Sequence, residues 1–337
     1  MDPVTQGALG AVFAQSSQTK EKLVAATWLG CAAGMAPDLD VFIQSSTDPL
    51  LFLEFHRHFT HALIFIPIGA LIVCGVLFRL VRHRLNFREA YIAALLGYAT
   101  HGLLDACTTY GTQLLWPFSD VRVAWNNVSV VDPALTLPLL VLVVTAARTK
   151  RRRFITMGIG WVLFYLTLGA VQMFRAEDAA ARIASERGHD PQRLTLKASF
   201  MNVVLWKSIY EHAGVYYVDA IRVTTSPEFC PGTQIAKLDL ERDLPFLHAE
   251  SQQARDLERF RWFSDDYLAP WDAYGVTDVR YSVVPNQVNP MWGVTLNPSA
   301  GASDHVLWWS NREARMASLD QFSALLRGEG CEPLDAT

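Results

Sequence analysis

The sequence predicts an α-helical transmembrane bundle of five spans with a short N-terminal helix, followed by a small extracytoplasmic α+β domain. Three observations predict it. Apolar stretches of near twenty residues recur through the first half, and about twenty helical residues cross a ~30 Å hydrocarbon layer. The chain is 51% hydrophobic and only 18% charged, low for a soluble domain. Charge is also divided along the chain. Residues 1–175 hold 14 Lys+Arg against 10 Asp+Glu, a net of +4, whereas 176–337 hold 15 against 23, a net of −8. Two domains follow, 1–175 in the membrane and 176–337 in water. Nothing forms a basic stripe, so no nucleic-acid partner is expected.

Residues 4–15 form the short apolar helix, either a further span or a half-inserted segment. The five spans fall at 23–43, 62–80, 90–111, 128–147 and 154–174. Basic clusters fill alternate gaps: Lys20 and Lys22, then Arg79, Arg82, Arg84 and Arg88, then Arg148 and Lys150 to Arg153. By the positive-inside rule all three lie in the cytoplasm. A multi-pass protein of a bacterial inner membrane is expected, with residues 176–337 outside. Of the ten acidic residues before 176, eight then fall at outward helix ends, with His56, His58, His61 and His101. Acids and histidines gathered from the ends of several helices are how a bundle builds a metal site.

Individual residues sharpen this reading. His101 and Asp105 are four apart, so they share one helix face, which Thr108 continues. An ionisable pair inside an apolar segment points to function, although it could also be a hydrogen-bonded packing pair. "PDLD" sets Asp38 and Asp40 beside a helix end, where a solvated turn is the plainer reading and metal contact the sharper one. In "HRHFTH", His56 and His61 can reach one ion, with His58 directed elsewhere. Arg57 cannot ligate a metal, but its fork suits a phosphate or carboxylate. Asp132, before Pro133, is either a helix cap or a general base. Asp2, Thr5 and Gln6 are candidates for a supporting layer. The expected metal ligands are therefore His56, His61, His101, Asp105, Asp38 and Asp40.

These motifs resemble the membrane-bound metal-dependent hydrolase family, the LexA-regulated inner-membrane, YdjM-type proteins. The resemblance rests on "MDPVTQGALG", "PDLD", "HRHFTH", "HGLLDACTTYGTQLLWPFS" and "DP", in that order across residues 1–133. It implies a metal-dependent hydrolase of the inner membrane whose site contains His56, Arg57, Thr60, His61, His101, Asp105, Asp38 and Asp40. Gln6 stands where many members have His.

Imidazole with carboxylate suits zinc, with manganese or iron as alternatives, better than calcium or magnesium. Such an ion lowers the pKa of bound water toward ~7. Asp40 or Asp132 is the candidate general base, and Arg57 the clamp for an anionic substrate. A site at the membrane surface fits a lipid or lipid-linked phosphoester, ahead of an acyl amide or ester. No "GxSxG", Walker loop or "HExxH" occurs, so serine-hydrolase, ATPase and zincin readings have no support. The competing classes are a cation or proton transporter and a metal-binding structural or sensory membrane protein.

Beyond residue 175, a charged helix leads into alternating strand-like runs separated by a Gly-containing turn, and a closing helix lies near 313–327. Of five cysteines, Cys31, Cys74 and Cys107 fall in apolar spans. Cys230 and Cys331 are left to pair if the domain meets an oxidising compartment.

Overall fold

A computed structural model describes residues 1–311 and 318–334. The chain divides into two units. One comprises Met1–Ile43, Phe55–Ala170 and Phe200–Asn202. The other comprises Gln44–Glu54, Val171–Ser199 and Val203–Thr337.

The first unit is helical. Its elements are α1 (Pro3–Ser16), α2 (Leu23–Met35), α4 (Ile66–Val81), α5 (Phe87–Ala106), α6 (Pro133–Thr149) and the start of α7 (Arg152–Glu186). Local chemistry sets the ends. Asp2 caps α1 through the amides of Val4 and Thr5, and Asn86 and Glu89 close a reciprocal capping box on α5. Asp132 caps α6 just before Pro133. The core between α2, α4 and α5 is made largely of small residues, among them Ala26, Ala33, Ala70, Ala90 and Ala94. Small side chains let backbones approach. A Cβ on Gly34 would lie 2.5 Å from Gln6 O on α1, and one on Gly102 would lie 2.4 Å from His61 O. Both positions admit only glycine at this spacing.

The expectation of five spans is overturned. Among the described residues, two helical stretches are long and apolar enough to cross a membrane, Leu63–Val81 and Arg152–Glu186. The apolar run at 23–43 does not make one helix. Pro37 disfavours α-helix at the residue before it, so α2 stops at Met35 after 13 residues and Ala36–Phe42 winds as a tighter 3-10 turn. α6 has 17 residues, short of the ~20 needed. α5 has 20 but carries Arg88, Glu89, His101 and Asp105. The helix expected at 4–15 is buried along most of its length, as a core helix is. By contrast, α4 and α7 present Ile68, Leu71, Ile72, Val76, Leu163 and Phe164 outward.

Three basic loops meet at one end of this unit. The Arg152 guanidinium donates to Gln18 O (3.2 Å), Gln18 Nε2 donates to Glu89 O (3.2 Å), and Lys22 pairs with Glu89. The acids and histidines gather at the other end, one α5 length away, roughly 30 Å by helix rise.

The second unit holds more sheet than the small α+β domain expected. Strands β1 (Arg193–Ala198), β2 (Leu205–His212), β3 (Val215–Val223), β4 (Pro227–Ala236) and β9 (Glu332–Pro333) form one antiparallel sheet in that order. Strands β5 (Leu268–Trp271), β6 (Gly275–Asp278), β7 (Trp292–Thr295) and β8 (Leu307–Ser310) form a second. Ala213 and Gly214 both take positive φ between β2 and β3, the two-residue turn that matches strand twist. Trp206, Tyr210 and Tyr216 are fully buried. Among the described residues, the end of α7 and helices α3 (Leu51–Phe55), α8 (Leu240–Asp243), α9 (Gln252–Phe263) and α10 (Leu319–Arg327) accompany the sheets. The start of the closing helix expected at 313–327 lies outside the described residues. Cys230 and Cys331 form a disulfide across 101 residues, which joins β4 to the tail. Segment Gln44–Glu54 belongs here because Arg259 on α9 pairs with Asp48 (2.8 Å) and Glu54, and Phe52 packs edge-on against Trp308.

Candidate metal centre

Four side chains converge at the acidic end of the helical unit. Asp38 comes from the 3-10 turn after α2, His61 from the turn before α4, and His101 and Asp105 from one face of α5. Each offers a ligand atom within 4.8 Å of the others. His61, His101 and Asp105 are buried and Asp38 is partly open.

Hydrogen bonding decides which nitrogens are available. His101 Nδ1 lies 2.5 Å from Gly34 O, an acceptor only, so this nitrogen carries the hydrogen. Thr60 Oγ1 donates to Asp40 Oδ2 (2.8 Å), which leaves that hydroxyl an acceptor toward His61 Nδ1 (3.0 Å); Asp40 Oδ2 lies 3.2 Å from the same nitrogen. His61 Nδ1 is therefore a donor too. With both Nδ1 atoms committed, the two Nε2 atoms face each other at 2.9 Å. Nitrogens so close need a positive charge, either a proton on one ring or a metal ion between them.

The carboxylates complete the set. Asp38 Oδ1 lies 3.3 Å from His101 Nε2 and 3.6 Å from His61 Nε2. Asp105 Oδ2 lies 3.3 Å from His61 Nε2 and 3.6 Å from His101 Nε2. A tetrahedron with arms of ~2.1 Å, the zinc value, has edges of about 3.4 Å. The five donor separations above, 2.9 to 3.6 Å, lie near that edge, and buried Asp105 Oδ2 makes no aligned hydrogen bond. The residues present fit a divalent ion.

A second group shares Asp38 and adds Asp40 and His56. His56 Nδ1 sits 2.8 Å from Asp40 Oδ1. Asp40 Oδ2 also accepts the Arg57 amide (3.0 Å), so this buried carboxylate ties together the whole 56–61 loop.

The family model for the YdjM inner membrane protein matches residues 1–176. The chain belongs to the YdjM inner membrane protein family. It is also 24% identical over 189 residues to the uncharacterized protein YfhP of Bacillus subtilis strain 168. That match covers 56% of this chain and 56% of the relative, so the chain spans about half the length of the curated relative it matches. No solved structure matches.

In this YdjM-family chain the remaining motif residues surround the four donors. Arg57, at positive φ and buried, directs Nε to Asp105 Oδ2 (3.0 Å) and Nη1 to Thr108 Oγ1 (2.8 Å), with its guanidinium 4.8 Å from the Tyr110 ring centre. Its guanidinium thus lies against the protein's own Asp105, as an ion pair through Nε and a hydrogen bond from Nη1 to the Asp105 carbonyl (3.3 Å). Gln6 Nε2 donates to Asp105 Oδ1 (2.9 Å), and the Met1 amino group bonds the same oxygen. His58 packs among Phe55, Phe59 and Trp116. Asp132 lies in neither group. Its Oδ1 caps α6 and its Oδ2 accepts from Tyr165 (2.7 Å).

Sequence reasoning passed over Gly34, whose carbonyl orients His101, and Tyr98, whose hydroxyl donates to Thr60 O (2.9 Å). A signal for the first was present: Gly30 and Gly34 are four apart in α2, the small-residue spacing of close helix contacts.

Proposed function

We propose that this protein is a metal-dependent hydrolase of the inner membrane, acting on a membrane-associated anionic substrate, most simply a phosphoester. One observation supports the reading: the facing Nε2 atoms of His61 and His101, with both other ring nitrogens committed and two carboxylates beside them. Asp38, His61, His101 and Asp105 would hold the ion, zinc by donor type and spacing. When bound, the ion supplies a polarised water and a Lewis acid toward a phosphoryl oxygen.

The chain's own residues do the rest. Gly34 O and the Asp40–Thr60 pair fix the two imidazoles in one tautomer and orientation. Arg57 and Gln6 hold Asp105 so that one oxygen faces the histidines. In this reading the forked group expected to clamp substrate positions a ligand instead. His56 is partly exposed at the rim, and Asp40 orients its Nδ1. This Asp–His pair is the group suited to move a proton at His56 Nε2, a role that passes from Asp40 itself to its partner. Asp132 stays a helix cap.

The test is metal content and turnover of the purified full chain. Wild type should carry zinc, and His61→Ala and Asp105→Ala should lose it. Dioleoyl phosphatidic acid and bis(p-nitrophenyl) phosphate serve as probe esters. A metal-free wild type that stays inactive when zinc is added sinks the reading. Bound metal without hydrolysis, but with cation flux in liposomes, moves it to the transporter class.

A further inference from the structure

A groove of about 660 Å³ opens at the basic end of the helical unit, away from the metal donors. It lies within the range of small-molecule sites, roughly 300–1,000 Å³. Its walls are apolar: Val24, Trp28 and Leu29 of α2 face Leu77, Leu80 and Val81 of α4. Trp28 and Leu80 are 72% and 69% exposed, so the wall runs out onto the open surface of a helix able to cross a membrane. At one end the lining turns cationic, with Arg84 and His83 from the α4–α5 loop and Lys150 from the α6–α7 loop. Among the described lining residues Glu21 is the one acid, and it faces Lys20 and Lys150. Arg84 and Lys150 therefore leave the rim net positive, and the neighbouring Arg82, Arg88, Arg148 and Arg151 add to it.

We propose that this groove between α2 and α4 binds an anionic phospholipid, its acyl chain along Trp28 and Leu80 and its phosphate at Arg84 and Lys150. Charge complementarity selects the occupant. A soluble anion leaves the apolar wall unfilled. A zwitterionic lipid brings a quaternary ammonium against Arg84 and Lys150. A chain with an anionic head satisfies both ends at once, and basic residues at the end of a membrane helix attract anionic headgroups.

The experiment uses the full chain in phosphatidylcholine vesicles doped with phosphatidylglycerol or phosphatidylcholine carrying brominated acyl chains. Bromine quenches indole at contact, and the difference between wild type and Trp28→Phe isolates the groove's signal from the other nine tryptophans. Brominated phosphatidylglycerol should quench Trp28 several-fold more than brominated phosphatidylcholine at equal mole fraction. Arg84→Gln and Lys150→Asn should each cut that preference about fivefold, the worth of one basic residue at an anionic surface. Asn is chosen because residue 150 sits at φ 56°, a conformation Asn tolerates. Raising salt from about 0.05 to 0.5 M should erode the wild-type preference without any mutation. Equal quenching by the two lipids, or a preference that survives both substitutions and salt, overturns the proposal.

Discussion

His61 and His101 hold their Nε2 atoms 2.9 Å apart, each with its Nδ1 already donating to the protein. The pair is stable with a metal ion between the rings or a proton on one of them, and the proposed site takes the ion. Chelation should therefore destabilise the helical unit, because a ligand at 100 times its Kd contributes about 2.7 kcal/mol. We expect EDTA to lower the wild-type Tm by several degrees and to leave His61→Asn unmoved. A wild-type melt indifferent to chelator would mean that the two rings share a proton.

Arg57 fixes the orientation of Asp105 through Nε and is itself pinned by Thr108. Lysine offers a point charge without the planar fork. Arg57→Lys should lower zinc affinity by about 10–100-fold, the usual cost of losing an orienting partner, while the fold persists. Competition against a chromophoric chelator reads the change. An unaltered affinity would return Arg57 to the role of substrate clamp.

Gly34 carries two duties, close approach to Gln6 and the carbonyl acceptor for His101. A methyl group at 34 meets backbone at 2.5 Å, so α1 and α2 must part. Gly34→Ala should cost about 1–3 kcal/mol and weaken metal binding together. Gly75, whose Cβ would meet nothing within 4 Å, is the control. If the two alanine variants melt alike, the contact is not tight.

Lys207 on β2 is buried, with Nζ donating to Ser282 Oγ (2.8 Å) and Gln287 O (3.0 Å). Burial pushes its ammonium down to about 7, and Asp278 offsets that only in part. Lys197, its cross-strand partner, is also held well below the usual lysine range, by burial and then by the Lys207 charge. Between about pH 7 and the unfolded lysine value near 10.4, the unfolded chain binds protons that the folded chain refuses, so stability rises with pH. The penalty is fully present below about pH 7 and vanishes above about 10.4. Lys207→Met should raise stability at pH 7 and flatten the rise measured by urea titration between pH 7 and 9. Identical slopes in the two proteins would place the charge outside the core.

What the sequence determined by itself is local chemistry. Asp132 before Pro133 reads as a helix start because a carboxylate and a proline suit the first turn, whatever lies nearby. The glycine between two strand-like runs, Gly214, reads as a turn because glycine takes the backbone angles a turn asks for. The spacing of His101 and Asp105 places both on one face of a helix, and the "PDLD" and "HRHFTH" runs mark donors that a cation site needs. The number of spans was not legible, because apolar length says nothing about where a proline converts α-helix to a 3-10 turn. Nor were the partners. Asp38 and Asp40 are two residues apart and chemically identical, yet one faces the two Nε2 atoms and the other braces His56 and His61. Arg57 could as well have faced a substrate as Asp105. Only the tertiary structure decided these, because pairing across α1, α2 and α5 depends on ångström-scale backbone approach at glycines whose partners no local rule names.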